Sequence, residues 1–264
     1  KEIDLTLPSM EDAFNPLSNI IPMKNQVKGQ RLVMASRMTT QALPIMDAEA
    51  PLVQSAVPGT NGNQSFEELY ANRMGSLRAM QQGVVKSVND KEIVVQYEDG
   101  TKKRHELYQN FPFNRKTFMH QTANVKPGDV VKPDQLLAYS NFTDKAGTTA
   151  LGTNARTAYI AWQGKNFEDA IVISESYARK MSSEHMYQND LEVDDKTKIG
   201  KKNFVSVFPG KFDKAILSKL DDNGVIKPGT TVNYGDPLIL GLRQKESSHN
   251  KVHKKGKAGY SDAT

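Results

Sequence analysis

A mixed, mainly β fold with short helices is what the sequence predicts, and three observations carry that expectation. The runs 83–88 and 92–97 are short and β-branched, 102–107 follows them as a third strand, and Asp99-Gly100 supplies a tight hairpin turn between the last two. The segments NVKPGDVVKPDQLLAYS (124–140) and VIKPGTTVNYGDPLILG (225–241) repeat one plan: a Lys-Pro-Gly turn, a short strand, a second turn and an apolar strand. Pro-Gly sets a type II turn, so this weak repeat describes barrel-like β-structure more than chemistry. Helical periodicity, finally, appears only in short stretches.

The first of these is 30–40, where Leu32, Val33, Ser36 and Met38 alternate with Arg31, Arg37 and Thr39 and the pattern ends before Pro44. Arg31, Met34 and Arg37 then share one side. Pro51, Pro58 and Gly59 mark a loop, and Ser65-Phe66-Glu67-Glu68 has the form of a capping box that opens a helix through about Met74. Between the two Lys-Pro-Gly copies, 157–162 and 170–174 read as strands separated by the polar turn Gln163-Gly164-Lys165-Asn166. The stretch 213–220 reads as a helix stopped by Asn223-Gly224. The expected organisation is a helical and loop segment over 1–60, a β-rich module over 61–145, a β segment over 146–243 and a basic linker over 244–264.

With 264 residues, 38% of them apolar, the chain can bury one sizeable core or two modest ones. The absence of cysteine excludes a disulfide framework, a thiolate zinc site, an iron–sulfur cluster and a cysteine nucleophile. No apolar run is long enough for a membrane helix, and KEIDLTLPSM lacks the apolar stretch of a secretory signal, so no membrane partner and a cytoplasmic location are the default expectations. A net charge of +5 suits a polyanionic partner without requiring one. The chain lacks an initiator Met and ends on the polar, basic HNKVHKKGKAGYSDAT, which leads to the expectation that it is a piece of something larger.

Chemistry is concentrated in GKNFEDAIVISE (164–175). Adjacent carboxylates on a strand point to opposite faces, so Glu168 and Asp169 can face one site together only from the turn itself. There they could hold a divalent cation through water or position a triphosphate. The alternative is a solvated turn with two exposed acids. Arg31 and Arg37 are by default surface charges, and Lys102-Lys103-Arg104 is a solvated strand end. Lys245, Lys251, Lys254, Lys255 and Lys257 with His249 and His253 form a basic tail, either a phosphate-tracking arm or a solvated linker.

GKNFEDAIVISE closely resembles the G-[YF]-N-[FY]-E-D-[AS]-I-[LV]-[IV]-S-E signature of the β subunit of multisubunit DNA-directed RNA polymerases. LGTNARTAYIAWQ (151–163), RLVMASRMTTQALPIMDAEAPLV (31–53) and DKAILSKLDDNGVIKPGTTVNYGDPLILGL (213–242) resemble further blocks of that family, in family order. The resemblance spans about residues 18–243. It implies the hybrid-binding region of a β subunit up to the flap, with 146–243 contributing to a double-psi β-barrel. It further implies that Arg31 reaches the triphosphate or active-site edge, that Gln41 lies against the RNA–DNA hybrid, and that Glu168 and Asp169 flank the incoming nucleotide and the second Mg²⁺. Arg37 stands where the family commonly has Asn, which makes a nucleic-acid contact there electrostatic.

The implied activity is two-metal nucleotidyl transfer. The tightly held Mg²⁺ would be supplied by a β′-like large subunit carrying Asp-x-Asp-x-Asp, a motif this sequence lacks. The implied partners are that subunit, the remaining β segments, other polymerase subunits, template DNA, RNA and nucleoside triphosphates. A phage-encoded or split enzyme fits the divergence between blocks, and 66–80, which fits the family poorly, reads as a lineage-specific helix. Two other readings compete. One is a non-catalytic nucleic-acid-binding β-barrel. The other is a lipoyl-like carrier domain, suggested by the hairpin 125–137 followed by Thr143-Asp144-Lys145-Ala146, with Lys145 as the modified residue.

Overall fold

The computed structural model describes residues 3–245 and 260–264. Two compact units divide the chain, 1–187 and 188–264. Along the first unit run α1 (Pro16–Asn19), α2 (Gly29–Thr39) and α3 (Phe66–Tyr70), then the short strands β1 (Leu77–Arg78), β2 (Gly83–Val88), β3 (Glu92–Tyr97), β4 (Lys102–Glu106), β5 (Phe111–Pro112), β6 (Phe118–Met119), β7 (Gln121–Ala123), β8 (Val130–Val131) and β9 (Leu136–Ser140), and finally α4 (Glu175–Lys180). The mixed, mainly β class with small antiparallel sheets and short helices is what the sequence predicts.

The strand triplet forms a four-stranded antiparallel sheet in the order β4-β3-β2-β8. Asn89 Oδ1 accepts from the amides of Lys91 and Glu92 and so closes the β2–β3 turn. Gly100, at φ 81°, closes β3–β4, where Asp99 Oδ1 accepts from the Thr101 amide. One face of the sheet buries Val85, Ile93, Val95 and Val131 against Leu137 and Ala138 of β9. Each such fully buried aliphatic side chain contributes about 1.5–3 kcal/mol. Within this core the Tyr97 hydroxyl meets His105 Nε2 at 3.1 Å, and burial, aided by nearby Lys103, pushes the His105 imidazole below its ordinary value.

A second sheet, β1-β9-β7, closes the unit. The Ser65 hydroxyl accepts from the Glu68 amide at 3.2 Å while Glu68 Oε2 accepts from the Ser65 amide at 3.1 Å, the predicted capping box. The helical run then ends at Met74, where the capping-box reading puts its end, and earlier than 66–80 implies. It continues as a 3-10 turn to Met74 and stops at Gly75, φ 93°, after which 77–78 is strand. Gly75 also has no room for a side chain, because a Cβ there would lie 2.6 Å from the Met119 sulfur and 2.8 Å from the Ser140 Cβ. Gln121 Nε2 donates to the Gly75 carbonyl and the Ser140 hydroxyl donates to the Met74 carbonyl, which fastens this end to β7 and β9.

Two strand expectations fail. Residues 157–162 and 170–174 belong to no sheet, and their large apolar side chains lie in solvent: Tyr159 is 97% exposed, Trp162 50% and Ile171 85%. Their apolar residues are consecutive, the composition of strands flanked on either side, and no ladder partner exists for them among the described residues. Ser174 is not a strand end, since its hydroxyl caps α4 by accepting from the Tyr177 amide at 3.2 Å.

The second unit contains β10 (Thr197–Ile199), α5 (Lys201–Val207), α6 (Lys214–Ser218), β11 (Gly241–Gln244) and β12 (Tyr260–Asp262), with the sheet order β10-β11-β12. Phe204, Leu220, Leu240 and Leu242 form its core. Both Lys-Pro-Gly turns form, with Gly128 at φ 94° and Gly229 at φ 76°. The strands after the second copy shrink to isolated bridges, Val225 to Ile239 and Leu220 to Ile226, before β11. The predicted 213–220 helix is shorter, with Asp213 at its N-cap. Of the basic tail, residues 246–259, with His249, His253 and four of the lysines, lie outside the described residues.

Glu67 of α3 is buried, with Oε2 accepting from the Ser55 amide at 3.3 Å and Oε1 without a partner. Burial pushes its carboxyl up from 4.5, so its contribution to stability is full at low pH and is lost as the pH rises through the raised value. Glu67→Gln keeps the acceptor and removes the charge. Thermal denaturation against pH is expected to show the variant gaining on the wild type from acid to neutral pH; parallel curves would contradict this.

Candidate functional site

α2 carries the N-terminal candidates. Leu32 and Ser36, one turn apart, are its buried residues, and the Ser18 hydroxyl of α1 donates to the Ser36 hydroxyl at 3.1 Å. That narrow packed stripe leaves the opposite arc open, where Arg31, Met34 and Arg37 are all exposed and Arg31 Nη1 lies 3.8 Å from the Met34 sulfur. Gly29, Gln30, Arg31, Val33 and Met34 line a shallow open hollow of about 520 Å³. Gln41 follows the helix, its amide donating to the Met38 carbonyl at 3.0 Å and its side chain exposed.

The chain beyond Gln41 is held from two directions. The Glu184 amide donates to the Pro44 carbonyl at 2.8 Å, and Ile45 bridges Ser183. Four residues on, Glu49 forms the hub of a cluster absent from the sequence-based expectations. Its amide donates to the Gly152 carbonyl at 2.9 Å, its Oε2 accepts from the Asn154 amide at 2.9 Å and from Asn154 Nδ2 at 3.2 Å, and its Oε1 pairs with Lys180 of α4. Asn154 Nδ2 also donates to the Ala50 carbonyl at 2.9 Å. Lys180 and Asn154 together hold the Glu49 carboxyl below its ordinary value. One carboxylate thus ties the segment after α2 to both ends of the 155–179 stretch.

Between those anchors the acidic turn has its own fastening. The Lys165 amide donates to the Trp162 carbonyl at 2.9 Å across Gln163 (φ 52°) and Gly164 (φ 71°), the left-handed pair of a hairpin turn. Asn166 Oδ1 accepts from the Trp162 amide at 2.8 Å, and its Nδ2 donates to the Ile160 carbonyl at 2.6 Å. Glu168 and Asp169 follow at φ 48° and 58°, two successive non-glycine residues in the left-handed region, each costing of order 1 kcal/mol or more. Both side chains are exposed.

The two carboxylates therefore stand on a bend and not along a strand. Their oxygens are the donor type for a hard cation, but two carboxylates fall short of the roughly six oxygens Mg²⁺ takes, leaving waters, phosphates or another chain to complete the shell. No group of three or more His, Asp or Glu residues placed for a metal exists among the described residues. No hydrogen bond or ion pair among the described residues joins Arg31, Arg37 or Gln41 to Glu168 or Asp169. Lys145 stands exposed at the tip of a turn in which Asp144 Oδ1 accepts from the amides of Ala146 and Thr148. No described helix is long and apolar enough to cross a membrane.

The family RNA polymerase Rpb2, domain 6, matches residues 78–263, a stretch containing the anchored ends and the acidic turn. The chain belongs to that family. Its similarity to bacterial DNA-directed RNA polymerase β subunits reaches further toward the N-terminus. It is 32% identical to the β subunit of Thermus aquaticus over 241 residues, which is 90% of this chain and 21% of that subunit. Against the Aquifex aeolicus β subunit the identity is 31% over 236 residues, 88% of this chain and 16% of the relative. The Borrelia duttonii β subunit is 33% identical over 246 residues, 90% and 20%. The chain thus spans about a fifth of the length of the β subunits it matches and represents part of such a subunit.

Sequence reasoning misses Glu49 and Asn154 because their contacts are distant in sequence, and Asn166 because it acts through a turn. The only signal was for Asn166, an Asn just after a Gly-containing turn. Because the Glu49 carboxyl is held low, its bonds persist as the pH falls past 4.5 and are lost only below that, through the depressed value. Hydrogen exchange at the Asn154 amide is expected to stay slow down to that point in the wild type and to be fast at all pH values in Glu49→Ala. Equal protection in the two proteins would remove the clamp.

Proposed function

We propose that this chain is part of the catalytic core of a DNA-dependent RNA polymerase, where it helps hold the RNA–DNA hybrid and the incoming nucleoside triphosphate, and that it is inactive alone. The observation that carries this reading is the acidic turn of the β-subunit signature, presented on a fastened bend with both carboxylates free in solvent.

In this reading Arg31, exposed on the open arc of α2, makes a charge-assisted contact to the triphosphate. Arg37 contributes a second positive charge toward nucleic acid, and Gln41 offers an uncharged donor and acceptor to the hybrid. Glu168 and Asp169 accept hydrogen bonds from waters around the second Mg²⁺ and orient the triphosphate by repulsion. Bound Mg²⁺ supplies charge neutralisation on the phosphates and activation of the RNA 3′-hydroxyl, with its primary ligands on a β′-like subunit. The chain's own residues thus bind and orient, and the protein works in a cytoplasmic assembly with that subunit, the remaining β segments and template DNA.

The unpaired stretches 157–162 and 170–174 support the same reading. Hairpin-linked, apolar on both faces and anchored at each end by Glu49, they are suited to take up strands from the remaining β segments, the completion of a double-psi β-barrel.

Two variants test the roles in the assembled enzyme. Glu168→Ala with Asp169→Ala is expected to slow nucleotide addition while assembly survives, since both side chains are solvent-exposed; wild-type elongation would refute the assignment. Arg31→Ala is expected to raise the nucleotide concentration needed for half-maximal rate by about tenfold, the loss of one charge-assisted contact. An unchanged nucleotide dependence would remove Arg31 from the site.

A further inference from the structure

Away from the acidic turn, the first unit carries a row of aromatic rings that the proposed function does not use. Tyr108, Phe111 and Phe113 are 48%, 47% and 45% exposed, with ring centroids 5.1 Å apart for the first pair and 5.8 Å for the second. Single exposed aromatics are common, but three in mutual contact are a surface feature that calls for an occupant.

The row is held rigidly by its backbone. The Tyr108 amide donates to Gln121 Oε1 at 2.8 Å, and Gln109 Nε2 donates to the Gln121 carbonyl at 3.0 Å. Asn110, at φ 52°, turns the chain into β5, which pairs with β6, and the Phe113 amide donates to the Thr117 carbonyl at 2.8 Å. Rings fixed before binding lose little freedom on contact. A cation follows in the same turn: Lys116 Nζ lies 4.3 Å from the centroid of exposed Tyr187, and the Met186 amide donates to the Lys116 carbonyl at 2.9 Å.

Charge selects the occupant. The stretch 101–121 contains Lys102, Lys103, Arg104, Arg115 and Lys116 against the single acid Glu106. Rings in mutual contact on a cation-rich stretch, with Lys116 in the turn that follows Phe113, match a single-stranded nucleic acid, whose bases stack on the rings while its phosphates meet the lysine. An apolar peptide would gain nothing from that charge excess. We infer that Tyr108, Phe111 and Phe113, flanked by Lys116 and Tyr187, form a stacking site for single-stranded nucleic acid. The site does not depend on the roles of Glu168 and Asp169.

The test uses the full chain and a fluorescently labelled oligouridylate followed by anisotropy. Phe111→Leu and Phe113→Leu keep an apolar side chain but abolish base stacking, and each is expected to weaken binding about tenfold. Lys116→Met is expected to flatten the dependence of affinity on salt. In the wild type, photocrosslinking with a thiouridine-substituted oligonucleotide is expected to label residues within 108–118 or Tyr187, a result independent of any variant's folding. Unchanged affinity in both leucine variants, or crosslinks confined to other residues, would overturn the proposal. So would leucine variants that bind the oligonucleotide normally but release another subunit from the polymerase assembly, because the row would then be a protein interface.

Discussion

Backbone hydrogen bonding left unmet is the constraint on which the rest of this structure turns. Residues 157–162 and 170–174 have the β-branched and aromatic composition of interior strands, yet nothing in the described chain offers them a ladder. Backbone in this state satisfies its N–H and C=O groups with water, and its apolar side chains forgo about 25 cal/mol for each Å² left unburied. A sequence that puts Tyr159, Ile160, Trp162, Ile171 and Ile173 in one hairpin and leaves them exposed holds a large association free energy in reserve. In the proposed assembly that reserve is released when outside strands pair with the hairpin, which would couple formation of the active site to assembly of the enzyme.

Such a segment must nevertheless be aimed, and Glu49 is the device. Its carboxylate reaches Asn154 on one side and Lys180 on the other, so the extended stretch leaves and re-enters the folded part at fixed points. Asn166 repeats the principle on a smaller scale, its side-chain amide replacing the ladder bonds that the unpaired hairpin lacks. The same chain that ends α2 continues directly into the segment Glu49 holds, so the helix with Arg31 and Arg37 and the turn with Glu168 and Asp169 are built around one anchored region even though no direct bond joins them. The β-rich remainder, with its buried Ile93, Val95 and Leu137, serves as the rigid base.

What the sequence made legible follows the range of the interactions involved. The β2–β3–β4 hairpins, the capping box at Ser65, both Lys-Pro-Gly turns and α2 are set by neighbours within a few residues, and they form as the pattern predicts. The strands expected at 157–162 and 170–174 do not form, because a strand needs a ladder partner, none exists for them among the described residues, and composition cannot say whether a partner lies in the same chain. The helix over 66–80 was overextended because Gly75 ends it through a left-handed backbone and a contact with Ser140 that no local pattern announces. The Glu49 cluster was invisible for the same reason: its contacts span more than a hundred residues. The acidic pair was legible as a pair, and the resemblance to β subunits gave it a role that spacing alone would not.

The most direct test of this account compares hydrogen exchange over residues 155–174 in the chain alone and in the proposed polymerase assembly. The account predicts rapid exchange across 157–162 and 170–174 in the isolated chain, where water serves the backbone, and strong protection of the same amides once the assembly has formed. Protection already present in the isolated chain, or exchange that stays rapid in the assembly, would contradict the claim that this hairpin is completed by strands from outside.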